Sequence, residues 1–564
     1  MHHHLNLRAK LIIMVSVMAS FFLVALDQTI ISTALGKIVE EFNSFSSLAW
    51  VVTAYLITTT ITTPIAGKFS DMFGRRTMLM IGVLIFTVGS LLSGTSGSIE
   101  QLIVYRALQG IGGGILTANA FTVVGDLFAA RERGKWQGMI GAVFGVASII
   151  GPLLGGFLTE PHTIFGLTTD WRWTFFINIP VGIAALAILV IFCPPLKHET
   201  KPRIDYLGAG LMALALATLV LAVDNTDKIF AGFLNATGMS LLGLRTIMFA
   251  VVAASIAGFI LVERRAKEPI LRLDFFKNHN FLLIMTIATL VGAAMLGSIL
   301  YLTQFNQQVF GATPTQSGLM LLPMIAGLML VSITAGQIVS KTGKYKRFMV
   351  AGFVVGTLAI GALLTLGPTS TYLQEAIIMV FIGAGLGAAM PLLNVAIQNE
   401  FEQKYLGVVT SANQLFRGLG STIGVAIFGS MLTVGIINVL GDMSSDPYIQ
   451  TLRQSPAASQ MLTNVNDADT LLNLNTPDAK AKVTDGMAQN LEGQPLPEAA
   501  KEKLTDDLKD KQQAYNNKII NAFSTSLHQI FIITSVIMLI AGIFTLFLKE
   551  RPLHAADPLQ TPGE

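Results

Sequence analysis

The sequence predicts an all-α integral membrane protein of fourteen transmembrane helices, arranged as two six-helix bundles with an extra helix pair between them. Three observations lead there. The 564 residues are 52% hydrophobic and only 13% charged, against ~25% charged in soluble domains, and mean hydropathy is +0.62. Apolar runs long enough to cross ~30 Å of hydrocarbon recur along the chain. A glycine-spaced motif occurs twice, at matching places in two halves of the chain. This composition excludes a soluble enzyme, a nucleic-acid binder and a disordered chain. The net charge of +3 is too small to imply an acidic partner. The single cysteine, Cys193, excludes an intrachain disulfide and any metal-binding cysteine pair.

The spans read, in order, as 11–33, 47–68, 77–96, 101–125, 135–159, 172–193, 205–223, 241–262, 280–304, 315–339, 347–366, 373–398, 406–438 and 521–548. The first is too long for a signal-peptide core and no small-residue cleavage site follows it, so it is retained as a span. The opening MHHH reads either as native sequence or as a tag remnant. With the N-terminus inside, the inner segments hold 23 Lys and Arg residues and the short outer segments hold 4. That asymmetry places both termini in the cytoplasm of a cell that carries the protein in its cytoplasmic membrane. The organisation is then a cytoplasmic N-terminus (1–10), a six-helix bundle (11–196), the extra pair with its loops (197–279), helices 9–13 (280–438), an outer loop (439–520), the last helix (521–548) and a cytoplasmic tail (549–564).

Within span 1, Asp27 is the deepest carboxylate, ~24 Å from the inner edge at 1.5 Å per residue. An ionised group at that depth needs a partner or water, and by default it marks function. Span 2 is rich in threonine, from Thr53 to Thr63, and carries Tyr55. Its hydroxyls either bond back to their own helix or wet one face. The loop after it reads Gly67-Lys-Phe-Ser-Asp71-Met-Phe-Gly74-Arg75-Arg76, and Gly336 to Gly343, followed by Lys344, repeats the glycine spacing after span 10. Repeats of this kind build transporters from paired bundles. Asp71, Arg75, Arg76 and, at the inner end of span 4, Asp126 can form a charge cluster; simple positive-inside anchoring is the alternative. Span 4 carries Arg106, Gln109 and a run of glycines. Arg106 sits ~22 Å from the inner edge, level with Asp27. The pair therefore meets either as a proton-exchange site or as a static buried ion pair. Span 5 carries Gly145, Gly151, Pro152, Gly155 and Gly156, small residues that permit close helix packing around a proline that interrupts hydrogen bonding.

Span 9 ends in Tyr301, Gln304 and Phe305, which suit an amphipathic ligand or an interfacial aromatic belt equally. Tyr55 in span 2, Gln109 in span 4 and Asn394 in span 12 are further candidates for the substrate pathway. Arg417 in span 13 needs a partner or a polar cavity and is placed with the inner gate. Spans 9–14 hold no deep carboxylate, with Glu375 at an outer edge. The loop 439–520 carries 12 acidic and 8 basic residues. Thr476-Pro477 reads as a helix start, and 497–518 extends span 14 outward, giving a small helical hairpin.

In Leu26-Asp27-Gln28-Thr29-Ile30-Ile31, Gly67–Arg76, Arg106–Gly114, Gly145–Gly156 and Trp171-Arg172-Trp173…Asn178-Ile-Pro180, the chain resembles the major facilitator superfamily. It most resembles the fourteen-helix drug:proton antiporters, the QacA/EmrB-like multidrug exporters. The resemblance covers residues 10–440 and 521–548. It implies alternating access, an inner-side latch at Gly67–Arg76 that holds the outward-open state, and an antiporter signature in span 5 that acts as hinge or seal. The expected activity is proton-coupled efflux of neutral or monocationic amphiphiles, hence a role in antibiotic resistance. Asp27 alone limits coupling to about one proton per cycle. Export of a native lipid, siderophore or metabolite is the main alternative; a non-transporting receptor and an uptake symporter fit the motifs less well. No P-loop, catalytic triad or metal-ligand set is present, so the chain is read as no enzyme, with no metal and no cofactor, driven by the proton gradient. The expected partners are small amphipathic substrates, protons and the lipid bilayer. No nucleic acid is involved, a monomer is expected, and an adaptor protein enters only in a two-membrane envelope.

Overall fold

A computed structural model describes residues 6–42, 48–159, 161–164, 166–193, 205–223, 226–266, 268–312, 314–367, 369–454, 468–475, 477–492 and 497–553. Fourteen long helices run through it. They are α1 (Leu7–Phe42), α2 (Leu48–Phe73), α3 (Arg75–Gly94), α4 (Ile99–Leu127), α5 (Ala130–Thr159), α6 (Asn178–Phe192) and α7 (Tyr206–Val223). The second half continues with α8 (Leu241–Glu263), α9 (His279–Val309), α10 (Leu322–Thr342), α11 (Lys346–Ala362), α12 (Tyr372–Glu400), α13 (Leu406–Leu440) and α14 (Glu498–Leu546). Among the described residues, 13 helices are long and apolar enough to cross a membrane. The remaining long helix, α2, has 26 residues and contains Pro64.

Local sequence explains the ends. Ser98, Ser240 and Asn278 cap α4, α8 and α9 by accepting from backbone N–H groups. Thr371 and Gln374 form a reciprocal capping box at α12. The second glycine of each repeat makes the turn: Gly74 has φ 94° and Gly343 has φ 69°, a region open to glycine without strain.

Helices α1–α6 form one bundle and α9–α14 the other; α7 and α8 pack on each other, with α7 against α2 and α13. Helix α1 begins and α14 ends on one face, the termini face, where Arg131 Nε donates to the Leu553 carbonyl at 3.0 Å. On the opposite, far face a two-stranded hairpin pairs Thr163 with Thr168 and Ile164 with Leu167. There α14 also extends beyond its apolar part. The helices Pro447–Gln454, Ala468–Asn473 and Pro477–Glu492 gather on the extension around a core of Tyr448, Ile449, Leu452, Leu471, Leu508 and Tyr515. Thr476 lies outside the described residues. This cap exists because the segment has enough apolar side chains to bury its own small core.

Candidate functional site

Three arrangements matter: a buried polar cluster, a latch on the termini face and a cavity between the bundles.

Asp27 and Arg106 meet, as their matched depths predict. Arg106 Nη1 donates to Asp27 Oδ2 at 2.6 Å, and both side chains are buried. Gln109 Nε2 donates to Asp27 Oδ1 at 2.8 Å, and Asn178 Nδ2 reaches the same oxygen at 3.5 Å. Arg106 also donates to Gln109 Oε1 at 2.8 Å and to the Val51 carbonyl at 3.4 Å, and lies over the Tyr55 ring at 4.3 Å. Tyr55 and Gln109, read from sequence as substrate-pathway residues, thus belong to the shell of this ion pair. Asn178 completes it from α6. Its sequence signal was the Asn-Ile-Pro run that opens span 6.

The latch joins the bundles through backbone amides. Arg75 pairs with Asp71 and, through Nε at 2.6 Å, with Asp126. Asp71 in turn accepts from the Gly407 and Val408 N–H groups of α13, each at 3.1 Å. Gly67 makes room: a Cβ there would stand 2.7 Å from the Gly407 carbonyl oxygen. The repeat does the same in the other half. A Cβ on Gly336 of α10 would stand 2.6 Å from the Gly134 carbonyl oxygen of α5. Further bonds cross nearby, from Gln137 Nε2 to Gln398 Oε1 at 2.9 Å and from Gln398 Nε2 to the Phe121 carbonyl at 3.1 Å. The termini face is therefore closed. Two latch assignments need correction. Arg76 turns away and donates to the Val190 carbonyl of α6 at 2.7 Å, because it follows the turn onto the outer side of α3. Arg417 points into the cavity, since it lies ~17 Å along α13 at 1.5 Å per residue, well above the seam.

In α5, Gly145 faces Ile325 of α10, where a Cβ would come to 2.6 Å of Cγ2. Gly151 instead packs on α1 beside Thr29 and Ile30, and Pro152 meets Gly318, whose added Cβ would lie 3.2 Å from Pro152 Cγ. Gly155 and Gly156 lend their carbonyls to the Thr159 hydroxyl at 2.7 and 3.0 Å. The helix continues through Pro152 to Thr159.

Between the bundles lie two lobes of about 940 and 1350 Å³ of empty space. Phe21, Phe144, Met295 and Arg417 line both. Asn394 lines the first, together with Gln137 and Ser332. Gln28, Thr59, Thr60 and Thr63 line the second, so part of the α2 threonine run does face a cavity. Tyr301 and Phe305 do not line it. Tyr301 is buried inside its own bundle against Phe428, with its hydroxyl 3.4 Å from the Val425 carbonyl, and Phe305 packs on Phe310. Gln304 is half-buried and lines neither lobe. Phe21, Phe144 and Met295 were missed because an apolar side chain facing a cavity and one facing lipid look alike in sequence.

Glu375 corrects the count of buried acids. It lies in the first turn of α12, at the edge of its span, yet it is fully buried. It faces the Asn306 carboxamide, whose nitrogen, turned toward it, lies 2.7 and 2.9 Å from the two carboxylate oxygens. The far end of the second bundle folds over a residue whose sequence position looked superficial. Outside the spans, Glu41 is held below the usual carboxylate range by its bonds to Arg172, then Trp171, clamping the far end of α1 to the segment before α6. Among the described residues no His, Cys, Asp and Glu cluster suits a metal ion.

Comparisons with known proteins agree with this architecture. The family model described as Major Facilitator Superfamily matches residues 17–425. The chain is similar to the "Multidrug transporter protein MdtP" of Bacillus subtilis, 33% identical over 96% of this chain and 94% of that protein. It is also similar to "Multidrug resistance protein 3" of the same organism, at 30% identity over 94% of each chain, and to "Efflux pump dotC" of Dothistroma septosporum, at 32% identity over 81% of this chain and 76% of that pump. Among solved structures, the proton:xylose symporter XylE superposes with a TM-score of 0.58, covering 97% of both chains at 15% identity; that likeness speaks to the fold alone.

Proposed function

The chain belongs to the major facilitator superfamily and is a multi-pass membrane transporter, and from that premise we propose that it is a proton-coupled efflux antiporter of amphipathic compounds. It would act in the cytoplasmic membrane with the termini face toward the cytoplasm. The relatives named as multidrug transporters and efflux pumps support export. The observation that carries proton coupling is the buried Asp27 cluster, one residue from Gln28 on the cavity wall. Asp27 as a carboxylate accepts from Arg106, Gln109 and Asn178. Protonation removes its negative charge and weakens all three bonds. Arg106 then keeps Gln109, the Val51 carbonyl and the Tyr55 and Phe175 rings. Two protonation states thus favour two arrangements of α1 against α4, which is what coupling requires. With the closed termini face toward the cytoplasm, this would be the outward-facing member of the cycle, held by Asp71 and the Gly67 and Gly336 seams. Rigid-body rocking of the bundles would break those seams and expose the cavity to the other side.

The test is substrate-driven proton movement in proteoliposomes, comparing wild type with Asp27→Asn over a panel of cationic, neutral and anionic amphiphiles. Proton release on substrate addition in wild type, lost in Asp27→Asn with substrate binding retained, is the expected result. Wild-type transport that moves no protons with any substrate would sink proton coupling.

A further inference from the structure

We propose that Arg417 is the recognition group of the central cavity and that the cargo carries an anionic group, a carboxylate, sulfonate or phosphate, on an apolar body. This deepens the export reading above and departs from the neutral or monocationic cargo expected from sequence. Arg417 lines both lobes at their junction. Its described polar partner is Gln414, three residues back on its own helix. Among the described residues, no Asp or Glu lines either lobe, and no second Lys or Arg does.

Arg106 shows what a satisfied guanidinium looks like in this protein: a carboxylate, a carboxamide, a backbone carbonyl and an aromatic face all attend it. Arg417 has five N–H donors in a rigid fork and one amide to accept from it. A guanidinium held within the membrane without a counter-charge is costly. Its natural complement is an oxyanion that takes two parallel bonds. Asp27 cannot supply that complement here, because both its oxygens are already engaged. The walls beside the fork, Phe21, Phe144 and Met295, offer an apolar surface for the body of the ligand. A monocation at the same junction would meet a like charge with no carboxylate among the described lining residues to offset it.

The test uses the full chain in lipid nanodiscs without a proton gradient. The probes are taurocholate, a sulfonate on an apolar body, and rhodamine 6G, a monocation. Wild type is expected to bind taurocholate more tightly than rhodamine 6G. Arg417→Gln should weaken taurocholate by about tenfold or more, the loss of a hydrogen bond to a charged group, without weakening rhodamine 6G. Arg417→Lys should recover part of the loss, which a folding defect would not allow. Taurocholate affinity unchanged in Arg417→Gln, or wild type that binds the cation alone, overturns the proposal. Arg417-dependent taurocholate binding together with transport that moves no protons would uphold the anionic cargo while refuting antiport.

Discussion

Replacing Asp71 with asparagine puts the seam between α2 and α13 to the test. The carboxylate receives one N–H from Gly407 and one from Val408, each at 3.1 Å, across the boundary between the bundles. Asparagine keeps one acceptor and turns an NH2 group toward the other donor, so at least one bond is lost. A hydrogen bond to a charged group contributes about 1.5–3 kcal/mol. The variant therefore shifts the equilibrium away from the closed termini face by about 10- to 150-fold. Arg75 stays paired with Asp126, so the first bundle itself should hold. Spin labels at Thr77 and Lys344, both exposed on the termini face and one on each bundle, would report the change as a longer distance population by pulsed electron resonance. A distance distribution identical to that of the labelled parent would show that these bonds do not set the equilibrium.

Other expectations follow from the same contacts. Gly336→Ala places a methyl group 2.6 Å from the Gly134 carbonyl oxygen, with backbone on both sides; α5 and α10 must separate, so the termini face opens in the same spin-label assay. Gly258→Ala meets only Leu211 at 3.5 Å and should leave the distances alone. Tyr515→Phe removes the bond from Tyr515 Oη to the Leu471 carbonyl at 2.8 Å and should cost the cap about 1 kcal/mol, seen as faster hydrogen exchange in 468–475 with export activity kept; unchanged exchange would show that the bond adds nothing to the cap. Glu41, exposed but bonded to Arg172 and Trp171, has a depressed titration. Its modest contribution is present above the ordinary value of 4.5 and disappears as pH falls through the lower folded value. Tryptophan fluorescence should therefore stay constant from neutral pH down to about 4.5 and change as pH falls through the lower folded value, and a change that begins at neutral pH would count against the clamp.

The secondary structure and the bundle plan were legible in the chain because lipid imposes a simple rule: each crossing must be a helix of about twenty apolar residues. The same rule made Asp27 and Arg106 stand out, since a charge in an apolar run has few explanations, and equal depth was enough to pair them. The glycine repeat was legible for a related reason. Gly74 and Gly343 need positive φ, and Gly67 and Gly336 need room for a facing backbone, requirements that leave a spacing in the sequence. What only the tertiary structure decided is which way each side chain turns on its helix. Arg76 faces α6 while its neighbour Arg75 faces the latch; Tyr301 and Phe305 fill their own bundle while Phe21 and Phe144 face the cavity; Glu375 is buried and Arg417 lies open to the space between the bundles. Helical periodicity separates polar from apolar faces only when the surroundings differ in polarity. In a membrane bundle, lipid, protein core and an apolar cavity wall ask for the same residues, so the assignment of faces waits on how the helices pack.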